Sequence, residues 1–159
     1  MKKAFYLVII AIMLASGSAF GDGSCVESLQ YLGENTIDVT FSCTGDASDG
    51  TVPDTAIAST TMTELRRGYW LVEVYTWPGA TAPTDASDFT LEDNNGLDVL
   101  GAAGTDKIDA TSDLRFFPLN SASATANYPV KATSLTMKTT NQAVHSAIWS
   151  VSFVFTKIY

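Results

Sequence analysis

The chain has 159 residues, with 17 acidic against 9 basic side chains and a formal net charge of −8. That balance excludes nucleic acid as a natural partner, because phosphate backbones are held by Lys and Arg. One histidine and two cysteines exclude a histidine-cluster metal site and a redox thiol set built within one chain.

The first segment reads MKKAFYLVIIAIMLASGSAFGDGSC. Lys2 and Lys3 precede an uncharged run, and small residues follow at Ser16–Ala19. This is the layout of a secretory signal peptide over residues 1–21, cleaved after Ala19 or Gly21. The alternative is an uncleaved anchor, for which the apolar run is short against the roughly 20 residues of a bilayer span. The expected product is one exported domain over residues 22–159, with no membrane association after cleavage.

The next two runs are CVESLQY and IDVTFSC, separated by LGENT. Gly33 and Asn35 are turn formers. A hairpin around Gly33–Glu34–Asn35 sets Leu29 against Val39, Tyr31 against Ile37 and Cys25 against Cys43. Directly opposed strand residues lie within disulfide reach, and export supplies a permissive compartment. The expectation is a Cys25–Cys43 disulfide, with free thiols or an intermolecular link as the alternatives. Glu27 opposite Phe41 is the one misfit in this register.

Strand patterns continue along the chain. Ile37, Val39 and Phe41 alternate with polar residues. Ala56–Met62 is uncharged and β-branched, and reads as a strand. Gly68–Trp77, GYWLVEVYTW, is apolar on both faces and reads as a central strand. In it Glu73 is expected to share a face with Tyr69, Leu71, Tyr75 and Trp77, and to need Arg66 or Arg115 as a partner. Alternation returns at Leu135–Thr139 and Ala147–Thr156. No segment of the mature chain carries a helical stripe. About seven to nine short strands in one domain point to an all-β fold, an antiparallel β-sandwich.

The stretch FTLEDNNGLDVLG, Phe89–Gly101, is the most acidic loop candidate. An EF-hand calcium loop needs an oxygen ligand at position 1 and Glu at 12. With Gly96 at position 6, those places fall to Leu91 and Ala102. A tight hairpin fits better: Asp93–Asn94–Asn95–Gly96 as the turn, Gly96 left-handed, Leu91 opposite Val99. Phe89, Leu91, Leu97 and Val99 are then expected on one face. A calcium site of another kind stays open. Asp46–Gly50, DASDG, reads as a second turn.

No catalytic arrangement is visible, and no metal or cofactor is expected. His145 stands just before the last strand, and no Gly-x-Ser-x-Gly elbow accompanies it. A glycosidase carboxylate pair leaves no spacing rule to search for. Of the aromatics, Trp77 precedes Pro78–Gly79 at a strand end and is the candidate to face a ligand.

Three segments occur in a distinctive order: GDASDGTVPDTAI, Gly45–Ile57; GYWLVEVYTWPGATAPTDASDFTLEDNNGLDVLGAAG, Gly68–Gly104; and LTMKTTNQAVHSAIWSVSFVF, Leu135–Phe155. This order resembles a group of small β-rich proteins encoded in tailed-bacteriophage structural gene regions. The resemblance rests on the motifs DASDGTVP, PGATAPT, FTLEDNNGLDVLG and NQAVHSA, and spans roughly residues 37–157. It implies a virion-associated or prophage-encoded structural protein, with no catalytic residues to carry over. The signal peptide and the cysteine pair lie outside that pattern. Ala102–Ala103 replaces a second glycine, and Trp77 stands where a small polar residue is usual.

The functional expectation is a non-enzymatic exported structural or interaction protein, working through loops, strand edges or aromatic faces. Its partners would be other proteins or copies of itself. The alternatives are a carbohydrate-binding or adhesive module with a glycan partner, and a pilus-like subunit whose last strand is exchanged between copies. Most strand runs are too short for an outer-membrane barrel.

Overall fold

The computed structural model describes residues 23–158. The segment read from the sequence as a signal peptide, residues 1–21, lies outside the described residues. Among the described residues nine strands and one helix follow in chain order: β1 (Ser24–Tyr31), β2 (Thr36–Thr44), β3 (Thr55–Ala56), α1 (Ser59–Leu65), β4 (Tyr69–Pro78), β5 (Asp88–Asp93), β6 (Leu114–Phe116), β7 (Tyr128–Pro129), β8 (Leu135–Thr140) and β9 (Ile148–Lys157). The larger sheet has the order β1-β2-β9-β4-β6, with β7 also on β4. The smaller has the order β3-β8-β5. All the strand pairs are antiparallel.

The two sheets share one apolar core, as a sandwich requires. Ile37, Val39 and Phe41 of β2 and Val151, Phe153 and Phe155 of β9 are fully buried in it. Phe89 of β5 meets Phe153 edge-on at 6.2 Å and Phe116 at 5.9 Å, joining the layers. The outer face of β2 carries Asp38, Thr40 and Ser42, so its alternation is that of a half-buried strand.

The first hairpin takes the register read from the sequence. Cys25 opposes Cys43, Leu29 opposes Val39 and Tyr31 opposes Ile37. Cys25 and Cys43 form the disulfide. The expected turn at Asp93–Gly96 also forms: Gly96 N–H donates to Asp93 O at 2.9 Å, and Gly96 has φ of +78°. Leu91 accepts from Val99 N–H at 2.8 Å, so those two are partners.

Three expectations are corrected. Ala56–Met62 is not a strand: only Thr55–Ala56 pairs with β8, and Ser59–Leu65 is α1. Thr61, Met62 and Leu65 are its buried side, which packing selects over β-branched propensity. Glu73 does not share a face with Tyr69 and Leu71. The β4–β9 register shifts between Leu71 and Glu73, and this bulge puts Glu73, Tyr75 and Trp77 on the outer face while Val74 and Thr76 turn inward. Leu97 does not join Phe89, Leu91 and Val99 in the core; it is 60% exposed. Asp98 explains this. Its carboxylate accepts from the N–H groups of Leu91, Leu100 and Ala102 and curls the chain into successive turns. Leu100 fills the core instead.

Candidate functional site

The acidic side chains that looked available for a ligand are engaged by the backbone. Asp93 accepts from Leu97 N–H at 3.0 Å and Asn95 N–H at 2.8 Å, which holds its carboxyl below the usual 3.8. Asp46 accepts from the Ser48 hydroxyl and the N–H groups of Ser48 and Asp49, and is lowered by those bonds. Asp109 is lowered in the same way by the Thr111 and Ser112 N–H groups. These are Asx-type turns, in which the carboxylate closes its own loop. Among the described residues no group of three or more His, Cys, Asp or Glu is placed to hold a metal.

The motif-bearing loops interlock at one end of the sandwich. Gln142 is buried; its Oε1 accepts from Thr84 N–H at 2.6 Å and its Nε2 donates to Val144 O at 3.1 Å. Ala143 N–H donates to Thr84 Oγ1, and Ser146 N–H to Asp46 O. Gly50, with φ of +80°, lies so close to Ala143 and Val144 that a Cβ there would stand 2.6 Å from the Ala143 carbonyl carbon. DASDG, PGATAPT and NQAVHSA are therefore one hydrogen-bonded unit. His145 is exposed in the same loop.

Glu73 finds Arg115, its neighbour across β4 and β6, and the two form an ion pair. Arg115 also lies 5.7 Å from the Tyr75 ring and 5.5 Å from the Phe117 ring. Burial first, then a hydrogen bond to Glu73, raises the Tyr75 hydroxyl above its usual 10.0. The arrangement is closed on itself. Trp77 stands at the end of β4 on the same outer face, 36% exposed. An open cleft of 480 Å³ lies between Leu97–Gly101 and Leu119–Tyr128. Asp98 and the Asn120 side-chain oxygen in its wall are already bonded to backbone N–H groups.

The edges of the two sheets differ sharply. On the far side of β4, β6 and β7 are three and two residues long. In the smaller sheet β3 is two residues long. The outer side of β5 is covered by bridges from Ser87 to Ile108 and from Glu92 to Asp98. By contrast, β1 runs eight residues in unbroken register, and no described strand pairs with its outer side. Leu32 N–H donates to Thr36 O, so by antiparallel alternation the even residues of β1 bond to β2. The N–H and C=O groups of Cys25, Glu27, Leu29 and Tyr31 then point away from the sheet. Val26, Leu29, Tyr31 and Leu32 along this edge are exposed, Val26 at 65% and Tyr31 at 60%.

Protein edges are normally shortened, bulged, covered or charged. β1 has no Lys, no Pro and no bulge. Its one charge, Glu27, points inward, where its carboxylate accepts from Ala58 N–H at 2.5 Å and Thr61 Oγ1 at 2.6 Å at the start of α1. With the disulfide, this fixes β1 at two points. Sequence reading named strand edges as a class but not this one. The signal available was a run, CVESLQY, without any of the usual protective residues.

No family model, curated protein or solved structure matches the chain.

Proposed function

We propose that this protein is a non-enzymatic, exported structural and interaction protein, of phage or prophage derivation, that docks through the open edge of β1. The observation that carries the reading is the contrast among edges: among the described residues β1 is long, carries exposed apolar side chains and has no strand on its outer side, while the other edges are short or covered. An added strand gains backbone hydrogen bonds along such an edge and specificity from alternate side chains. The disulfide agrees with delivery to an oxidising compartment. The phage derivation draws on the order of the turn motifs and on nothing else.

The carbohydrate reading is weaker. Tyr75, the ring nearest Trp77 along β4, is engaged by Arg115 and Glu73. The pilus-like reading is also weaker, because β9 already pairs along both sides with β2 and β4 of its own sheet.

A photoreactive amino acid placed at Val26 in the exporting cell tests the proposal, with Asn95 at the hairpin tip as the control. Covalent adducts from position 26 and not from position 95 support it. No adduct from position 26, or the same adducts from both, overturns it.

A further inference from the structure

We infer that the strand added to β1 is β1 of a second copy, running antiparallel about a two-fold axis at Leu29. This rests on the reading of β1 as a docking edge and names its occupant.

Self-pairing of identical antiparallel strands produces an isologous interface, in which each residue meets its two-fold mate. The outward groups belong to the odd residues Cys25, Glu27, Leu29 and Tyr31, so the axis must bring odd residues together in bonded pairs. Three such registers use the middle of the strand. An axis at Glu27 sets two carboxylates directly opposite each other, which is repulsive. An axis at Ser28 sets Val26 against Gln30 and Leu29 against Glu27, apolar against polar. An axis at Leu29 sets Leu29 against its own copy, Val26 against Leu32 and Tyr31 against Glu27. In that register three of the four exposed apolar side chains of the edge, Val26, Leu29 and Leu32, gain an apolar partner, and Tyr31 is the one set against a polar residue. Leu29 and Tyr31 lie on the inner side, Val26 and Leu32 on the outer, so both faces of the new junction are covered.

The two-fold lies perpendicular to the sheet, so the larger sheets of the two copies become one continuous sheet. The hairpin tip of each copy then lies beside the start of β1 of the other, with Gly33, which has no side chain, opposite Cys25. The disulfide and the Glu27 contacts keep β1 flat against its own β2, so the docking strand is already ordered before the copies meet.

Sedimentation of the oxidised protein, purified after export, tests the inference over a concentration series. A monomer–dimer equilibrium is expected. Leu29→Pro removes an outward N–H without removing a bond to β2, and Leu29→Lys places like charges at the axis. Both are expected to sediment as monomers where the wild type is dimeric, with the Cys25–Cys43 bond and the far-ultraviolet spectrum unchanged. Leu29→Cys is expected to link two copies on oxidation. A wild-type monomer at every concentration overturns the inference, as does a dimer that survives both Leu29→Pro and Leu29→Lys. A dimer in which Leu29→Cys never links overturns the register. A monomeric protein that still gives Val26 adducts with other proteins removes the second copy as occupant and leaves the docking edge standing. Absence of adducts as well removes both.

Discussion

The Glu27 carboxylate on β1 accepts a hydrogen bond from the N–H of Ala58, the N-cap residue just before α1, at 2.5 Å. In the strand alone Glu27 is an acid among inward-facing apolar neighbours. In the folded chain it is the acceptor for a helix start whose own first residue supplies no side-chain cap. It also accepts a hydrogen bond from the hydroxyl of Thr61, a buried residue of that helix.

Glu27→Ala should therefore destabilise the protein by about 0.5–2 kcal/mol, the range for a lost helix N-terminal acceptor. Glu27→Gln keeps one acceptor oxygen and should lose less. Urea unfolding followed by far-ultraviolet circular dichroism checks both values. Equal stability of wild type and Glu27→Ala would show that α1 does not depend on this contact.

Loss of the disulfide should act on β1 most of all. The two cysteines are 18 residues apart in sequence, and a loop near that length is worth about 3 kcal/mol by chain entropy. Cys25→Ala with Cys43→Ala should lower the unfolding midpoint accordingly. Amide exchange should speed up first in residues 24–31, because β1 has one neighbouring strand and the other elements of that sheet's centre have two. Uniform acceleration over the whole sheet would contradict this.

Gly96 and Gly50 both have positive φ, +78° and +80°, yet their surroundings differ. No heavy atom lies within 4 Å of a Cβ at Gly96. Gly96→Ala should cost only the backbone term, about 1 kcal/mol. Gly50→Ala adds a collision with the Ala143–Val144 backbone and should cost well over that. Paired thermal or urea unfolding of the two variants gives the comparison. Equal costs would mean that the loop end yields easily.

Acid should weaken the fold through its turns. Asp46, Asp93 and Asp109 each have a folded carboxyl lowered below 3.8 by hydrogen bonds to the ionised form. A depressed folded value contributes stability that is complete above the unfolded value. That contribution is lost as pH falls through the folded one. Stability should thus be flat from neutral pH to about 5 and decline below about 4. Asp93→Asn should show a shallower decline. A decline that begins near pH 6 would point to other groups.

Much of the fold was legible because strands write a period of two into the sequence. The Cys25–Cys43 register followed from alternation plus one turn, since a shift by one residue would have sent every apolar side chain to the wrong face. The Asp93–Gly96 turn was legible for the same local reason: its geometry needs a glycine at a set place. Glu73, Leu97 and α1 were not legible. A bulge reverses a strand's faces with no mark in a run that is apolar on both sides. Leu97 was displaced by Asp98, whose three backbone partners include one from another segment. The helix is seven residues long with three buried, too few for a periodic stripe.

The sequence by itself determined the β-rich class, the turns, the disulfide register and the acidic, export-like character of the chain. These are local, carried by neighbours within a few residues or by one hairpin. Only the tertiary structure decided that Glu27 starts a helix, that the turn motifs close on one another, and that β1 is the open edge among the described strands. Each of those depends on which segments meet in space. An edge is a property of strand order, and strand order comes from packing of segments far apart in the chain.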